Sequence, residues 1–113
     1  MYKEISVTML EQALKDNPRA ILIDVRTYGE IRSGMVPGSI HIDLFSPGFI
    51  ESIRSLDKDL TYYIICRSGN RSDSVAGAMS HMGFKNVFNV IEGIVYWNGK
   101  LEYPQDKIQS KIA

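Results

Sequence analysis

Cysteine is nearly absent: the chain has one, Cys66, in 113 residues. A single thiol excludes an internal disulfide and leaves no CxxC pair for dithiol redox work or metal binding. An excess of charge of one sign is also missing, since thirteen Lys and Arg offset thirteen Asp and Glu. Composition therefore points away from a nucleic-acid or membrane partner. No apolar run approaches the roughly 20 residues that span a bilayer. The opening Met1-Tyr2-Lys3-Glu4-Ile5-Ser6 lacks the basic-then-apolar layout of a signal peptide. The expected compartment is a reducing cytoplasm. Internal repeats, low-complexity tracts and linkers are lacking too. What is there, 44% hydrophobic and 23% charged, fits one globular domain with a single core.

Periodicity predicts strands alternating with helices. Residues 2–7 read as a short edge strand with Ile5 and Val7 inward. Thr8-Met9-Leu10-Glu11 has the form of a capping box, and Met9, Leu10, Ala13 and Leu14 continue it as an apolar stripe. Asn17-Pro18 stops that helix. Ala20-Ile21-Leu22-Ile23 is a continuous apolar run ending in Asp24, as in a strand covered on both faces. Thr27-Tyr28-Gly29-Glu30 is a second capping box, and its helix ends around Ser33-Gly34. After the turn at Pro37-Gly38, residues 39–42 read as a strand and residues 49–56 as a helix through Phe49, Ile50, Ile53 and Leu56. Tyr62-Tyr63-Ile64-Ile65 is a buried strand, residues 72–82 a helix closed by Gly83, and residues 87–91 a last strand. Residues 94–98 fit a short helical turn. This alternation argues for one α/β domain over residues 1–103 with parallel pairing, followed by a polar tail, 104–113, expected to fray or dock loosely.

Chemistry concentrates in Cys66-Arg67-Ser68-Gly69-Asn70-Arg71-Ser72. The stretch lies at the carboxyl end of a strand and feeds a helix, which is where open α/β sheets place their sites. Successive N–H groups of such a loop converge into an anion nest, helped by the helix dipole and by the charges of Arg67 and Arg71. All of these favour thiolate, the nucleophilic form, and predict a pKa below that of a free thiol. A free cysteine is commonly a core residue, but the polar loop that follows Cys66 argues against that fate.

With these residues placed, the chain resembles the rhodanese-like sulfurtransferase family. Asp24-Val25-Arg26 with Glu30 resembles the family's first box, and Gly34-Met35-Val36-Pro37-Gly38-Ser39-Ile40 its Gly-His-Ile-Pro-Gly-Ala segment. The cysteine loop resembles the active-site loop, and Glu92-Gly93-Ile94 with Trp97 the closing Gly-Gly-x-x-x-Trp box. The chain departs from the family at Met35, which stands for the usual histidine, and at Glu92, which stands for the first glycine and would put a charge near the loop mouth. The resemblance implies a three-layer α/β/α fold with a five-stranded parallel sheet between helices. From Cys66 to Arg71 inclusive there are six residues. Phosphatases of the same fold carry one more, so the resemblance implies a cradle for a single sulfane sulfur rather than a phosphate.

By that resemblance, Cys66 takes sulfur from a small anionic donor such as thiosulfate and passes it, as a persulfide, to cyanide or an external thiol. No cofactor and no metal are implied. A sulfur-relay module acting on another protein is the alternative, and a phosphatase or arsenate reductase a third. Arg71 is expected to orient the loop or bind donor charge, and Arg67 to capture donor or partner. Gly69 reads as a backbone requirement, and Ser72 as a helix cap in preference to a donor to sulfur. Asp24 is expected to cap the following helix or hold its loop, and Arg26 and Glu30, four apart, to form a structural ion pair. His41 and His81 carry no assigned role, while Trp97 and Phe84 read as core.

Overall fold

The computed structural model describes residues 1–105; most of the expected tail, with Ile108 and Ile112, lies outside the described residues. The elements are β1 (Lys3–Ile5), α1 (Val7–Asp16), β2 (Ile21–Asp24), α2 (Tyr28–Ile31), β3 (Ile40–His41), α3 (Phe49–Arg54), β4 (Thr61–Ile65), α4 (Asn70–His81) and β5 (Asn86–Val90), followed by a 3-10 turn, Ile94–Tyr96. Among the described residues the sheet has five strands in the order β1-β5-β4-β2-β3. Every pairing is parallel. As expected from its mixed pattern, β1 is an edge, while the apolar runs of β2 and β4 lie inside.

Period-two alternation along β4 decides which face the thiol joins. Tyr62, Ile64 and Cys66 share one cluster with Ile53 of α3 and with Val75, Ala76 and Met79 of α4. Tyr63 and Ile65 belong to a second cluster with Val7 and Leu10 of α1 and with Val36 and Val90. The sulfur is therefore delivered to the side of the sheet that α4 covers. Phe84 is a core residue whose ring meets the Tyr62 ring edge-on at 5.4 Å. Trp97 is only half-buried, and its indole N–H donates to the Lys100 carbonyl at 2.9 Å. Met35 is buried, and its backbone exchanges two 2.8 Å hydrogen bonds with Glu102.

Several expectations are corrected. Val7 belongs to α1, not to β1, and the cap of α1 is Ser6 in place of the Thr8 box. The reason is a distant carboxylate: Glu92 accepts the Val7 N–H at 2.8 Å and the Ser6 hydroxyl at 2.8 Å. Glu92 is thus turned to the start of α1, where a carboxylate meets free N–H groups and the positive end of the helix dipole. Ile50 is 48% exposed because Phe49 and Ile53, one turn apart, take the buried face of α3. The Thr27 box forms as read, with Thr27 N–H on Glu30 at 3.0 Å and Glu30 N–H on the Thr27 hydroxyl at 3.3 Å.

The Val7 N–H, and then the Ser6 hydroxyl, hold the Glu92 carboxyl below the ordinary glutamate range. Its contribution to stability is therefore present above that range and lost as pH falls through the lowered folded value. Glu92→Ala is expected to lower unfolding free energy by about 1 kcal/mol at neutral pH and to narrow the gap to wild type in acid. Urea melts at the two pH values check this, and equal stability at neutral pH would refute the cap.

Candidate active site

Cys66 follows the last residue of β4 and is 1% exposed. Two N–H groups and one hydroxyl reach its sulfur from the loop and the first turn of α4. The Gly69 N–H lies 3.1 Å from Sγ, the Ser72 N–H 3.4 Å, and the Ser72 Oγ 3.3 Å. Burial pushes the Cys66 thiol up, but the Ser72 hydroxyl and the N–H groups of Ser72, Gly69 and Ser68 outweigh it, leaving the pKa below the ordinary thiol value. The geometry is that of an anion cradle built mainly from main chain, and it suits a thiolate.

The loop can close this tightly because it packs on a second stretch of backbone. Gly69, at φ +99°, leaves no room for a side chain: a Cβ there would sit 2.0 Å from the Ile91 carbonyl oxygen. Gly93, at φ +73°, mirrors it, since its Cβ would sit 2.2 Å from the Arg67 carbonyl oxygen. Two ladder-like bonds tie the stretches together: the Ile94 N–H donates to Cys66 at 2.9 Å and the Val95 N–H to Arg67 at 3.2 Å.

The charged residues are paired differently from the reading of the sequence. Arg26 does not pair with the Glu30 carboxylate. Its guanidinium binds both oxygens of buried Asp24, the shortest contact being 2.8 Å, and donates to the Gly34 carbonyl at 2.7 Å. Asp24 also accepts the Arg26 N–H at 3.0 Å, so it holds its own loop and caps no helix. Two residues of spacing at a strand end let the Arg26 side chain fold back onto Asp24. The Glu30 carboxylate instead takes Arg71 in a two-pronged pair of 2.6 and 2.8 Å. That pair, first through the Arg71 hydrogen bond, holds the Glu30 carboxyl down to about 2.

Cys66, Gly69 and Ser72 are thus brought together, with the Ser68 N–H beside them. Arg71 and Glu30 flank them as a pair, and Asp24 and Arg26 stand apart as a buried loop clamp. Arg67 is exposed, and Asn70 opens α4 in place of Ser72. Ser72 is accordingly no cap: it sits inside the first turn, buried, where its hydroxyl meets sulfur. His41 binds the Arg26 carbonyl through Nε2 at 2.7 Å, and His81 is exposed. Among the described residues, no three His, Cys, Asp or Glu side chains are grouped to hold a metal ion, and no helix is long and apolar enough to cross a membrane. Asn89 of β5 was missed. It is 3% exposed and hydrogen-bonded to Ser72 and Gly69. A polar residue inside the apolar strand Val87-Phe88-Asn89-Val90 was the available signal, because a buried amide needs partners.

A family model described as Rhodanese-like domain matches residues 6–100. The chain belongs to that family. It is 41% identical over 99 residues to YtwF of Bacillus subtilis, covering 87% of this chain and 92% of YtwF. It is 35% identical over 98 residues to the thiosulfate sulfurtransferase GlpE of Pseudomonas syringae, covering 87% of this chain and 88% of that one. Its fold is similar to the crystal structure of SSP1007 from Staphylococcus saprophyticus, with a TM-score of 0.79, 30% identity, and coverage of 89% and 99%.

Gly93→Ala is expected to destabilise the protein by about 3 kcal/mol and to slow alkylation of Cys66 near neutral pH. Gly29→Ala, which meets nothing within 4 Å, leaves both unchanged. Thermal melts and iodoacetamide rates on the two variants check the contrast; similar behaviour would remove the loop-on-loop constraint.

Proposed function

We propose that this chain is a sulfurtransferase in which Cys66 carries one sulfane sulfur between an anionic donor and an external acceptor. The thiolate attacks the outer sulfur of thiosulfate. The S–S bond of the donor breaks, and sulfite leaves with the electron pair. Cyanide or a thiolate then attacks the outer sulfur of the Cys66 persulfide and restores the thiolate, which makes the cycle covalent and ping-pong. Donor, persulfide and thiolate are all anions, so one cradle of N–H groups serves both half-reactions.

The observation that carries this reading is the convergence of the Gly69 N–H and the Ser72 N–H on Sγ. The engagement of Arg71 by Glu30 favours it over phosphate chemistry, because the guanidinium that would grip a phosphate is already doubly bonded. The name of GlpE, a thiosulfate sulfurtransferase, supports thiosulfate as the donor to try first. With a single cysteine in the chain, the persulfide is resolved by an outside nucleophile, and a reducing cytoplasm keeps the thiol available.

Intact-protein mass tests the cycle. Incubation with thiosulfate is expected to add one sulfur to wild type and nothing to Cys66→Ser, and cyanide is expected to remove it with thiocyanate appearing. Loading followed by very slow discharge to cyanide and small thiols would instead favour a relay to a protein acceptor. No added mass from thiosulfate or from a persulfide donor would overturn the proposal.

A further inference from the structure

The Ser72 hydroxyl has one proton and two claimants. Its Oγ lies 2.6 Å from Oδ1 of Asn89 and 3.3 Å from Sγ of Cys66. The Asn89 amide is oriented by its other end, where Nδ2 donates to the Gly69 carbonyl at 3.2 Å. A carbonyl only accepts, so the amide nitrogen must face Gly69 and the amide oxygen must face Ser72. Oδ1 cannot donate; the short contact therefore uses the hydroxyl proton, and Ser72 presents only lone pairs to sulfur. That arrangement suits a thiol, whose S–H can donate to Oγ. It does not suit a thiolate, which needs the hydroxyl proton turned toward it.

We infer that Asn89 is a positioning residue that acts through Ser72, competing with the Cys66 thiolate for the single hydroxyl proton. When Cys66 gives its proton to solvent, the hydroxyl rotates from Asn89 to sulfur, and Oδ1 is left buried without a donor. Such an orphaned acceptor costs free energy, so Asn89 penalises the empty thiolate. Once Sγ carries a second sulfur, the formal charge moves one atom outward and the hydroxyl returns to Asn89. The loaded state escapes the penalty. The inference rests on the reading of Cys66 as the reacting thiolate, and it makes β5 part of the machinery.

The ionisable groups around the sulfur are few. Arg71 on α4 is tied to Glu30 of α2, and Asp24 at the end of β2 is tied to Arg26. Arg67 is exposed on the loop itself, His41 lies on β3, and Glu92 beyond β5 is turned toward α1. None of these touches Asn89 or Ser72 through a hydrogen bond, so their effects cancel when variants are compared in two backgrounds.

The test is the pH profile of iodoacetamide alkylation of Cys66, which needs no sulfur transfer and so can fail independently of the proposed function. Asn89→Ala is expected to raise the alkylation rate on the acid limb by about tenfold and to have no such effect in a Ser72→Ala background. Asn89→Asp, close in shape, is expected to lower that rate, and by less when Ser72 is also alanine. It serves if Asn89→Ala does not fold by circular dichroism. An unchanged or lowered acid-limb rate in folded Asn89→Ala would overturn the inference. So would equal effects of either Asn89 variant with and without the Ser72 hydroxyl.

Discussion

Two stretches of main chain, one carrying the cysteine and one leaving β5, lie against each other with no space for a side chain between them. Much else at this end of the sheet depends on that contact. It bends the cysteine loop back so that the N–H of Gly69 aims at sulfur, and the Ile94 and Val95 N–H groups take the loop carbonyls that point the other way. A loop with its carbonyls satisfied from one side presents mostly donors on the other. The positive character of the site is therefore chiefly a property of backbone direction, and formal charge has a smaller share in it than the two loop arginines suggest.

Those arginines show how the charge is managed. Arg71, in the first turn of α4, is held by Glu30 on α2, so its charge is largely cancelled there. Arg26 is cancelled by Asp24 inside the structure, where the pair fixes the loop after β2 to the Gly34 carbonyl. A buried pair of this kind is weak as a source of stability but costly to break on one side only. Arg67 is exposed on the loop, and no acidic partner offsets it among the ion pairs of the described residues.

The sheet, its parallel pairing and the cysteine loop were legible in the sequence because each rests on local pattern: apolar runs, helical stripes, and a thiol between a strand and a helix. What local pattern misses is partnership across the fold. Arg26 and Glu30 are four apart, and helical spacing suggests a pair, yet Glu30 finds Arg71 forty-one residues away. Glu92 reads as a charge beside the site until its partner at Val7, eighty-five residues earlier, is known. Ser72 reads as a cap because its neighbours look helical, but the left-handed Gly69 starts the helix sooner and carries the hydroxyl inside. Asn89 announces a buried polar need without naming who meets it.

The parallel pairing of β1 with β5 sets Lys3 beside Phe88 and Ile5 beside Val90. The first strand made thus waits for the last, and closing so long a loop is an entropic expense met late. During synthesis the cysteine leaves the ribosome before Asn89, Ile91 and Gly93 do. A nascent chain therefore carries the thiol before the backbone that packs on its loop at Gly69 and Arg67 has been made.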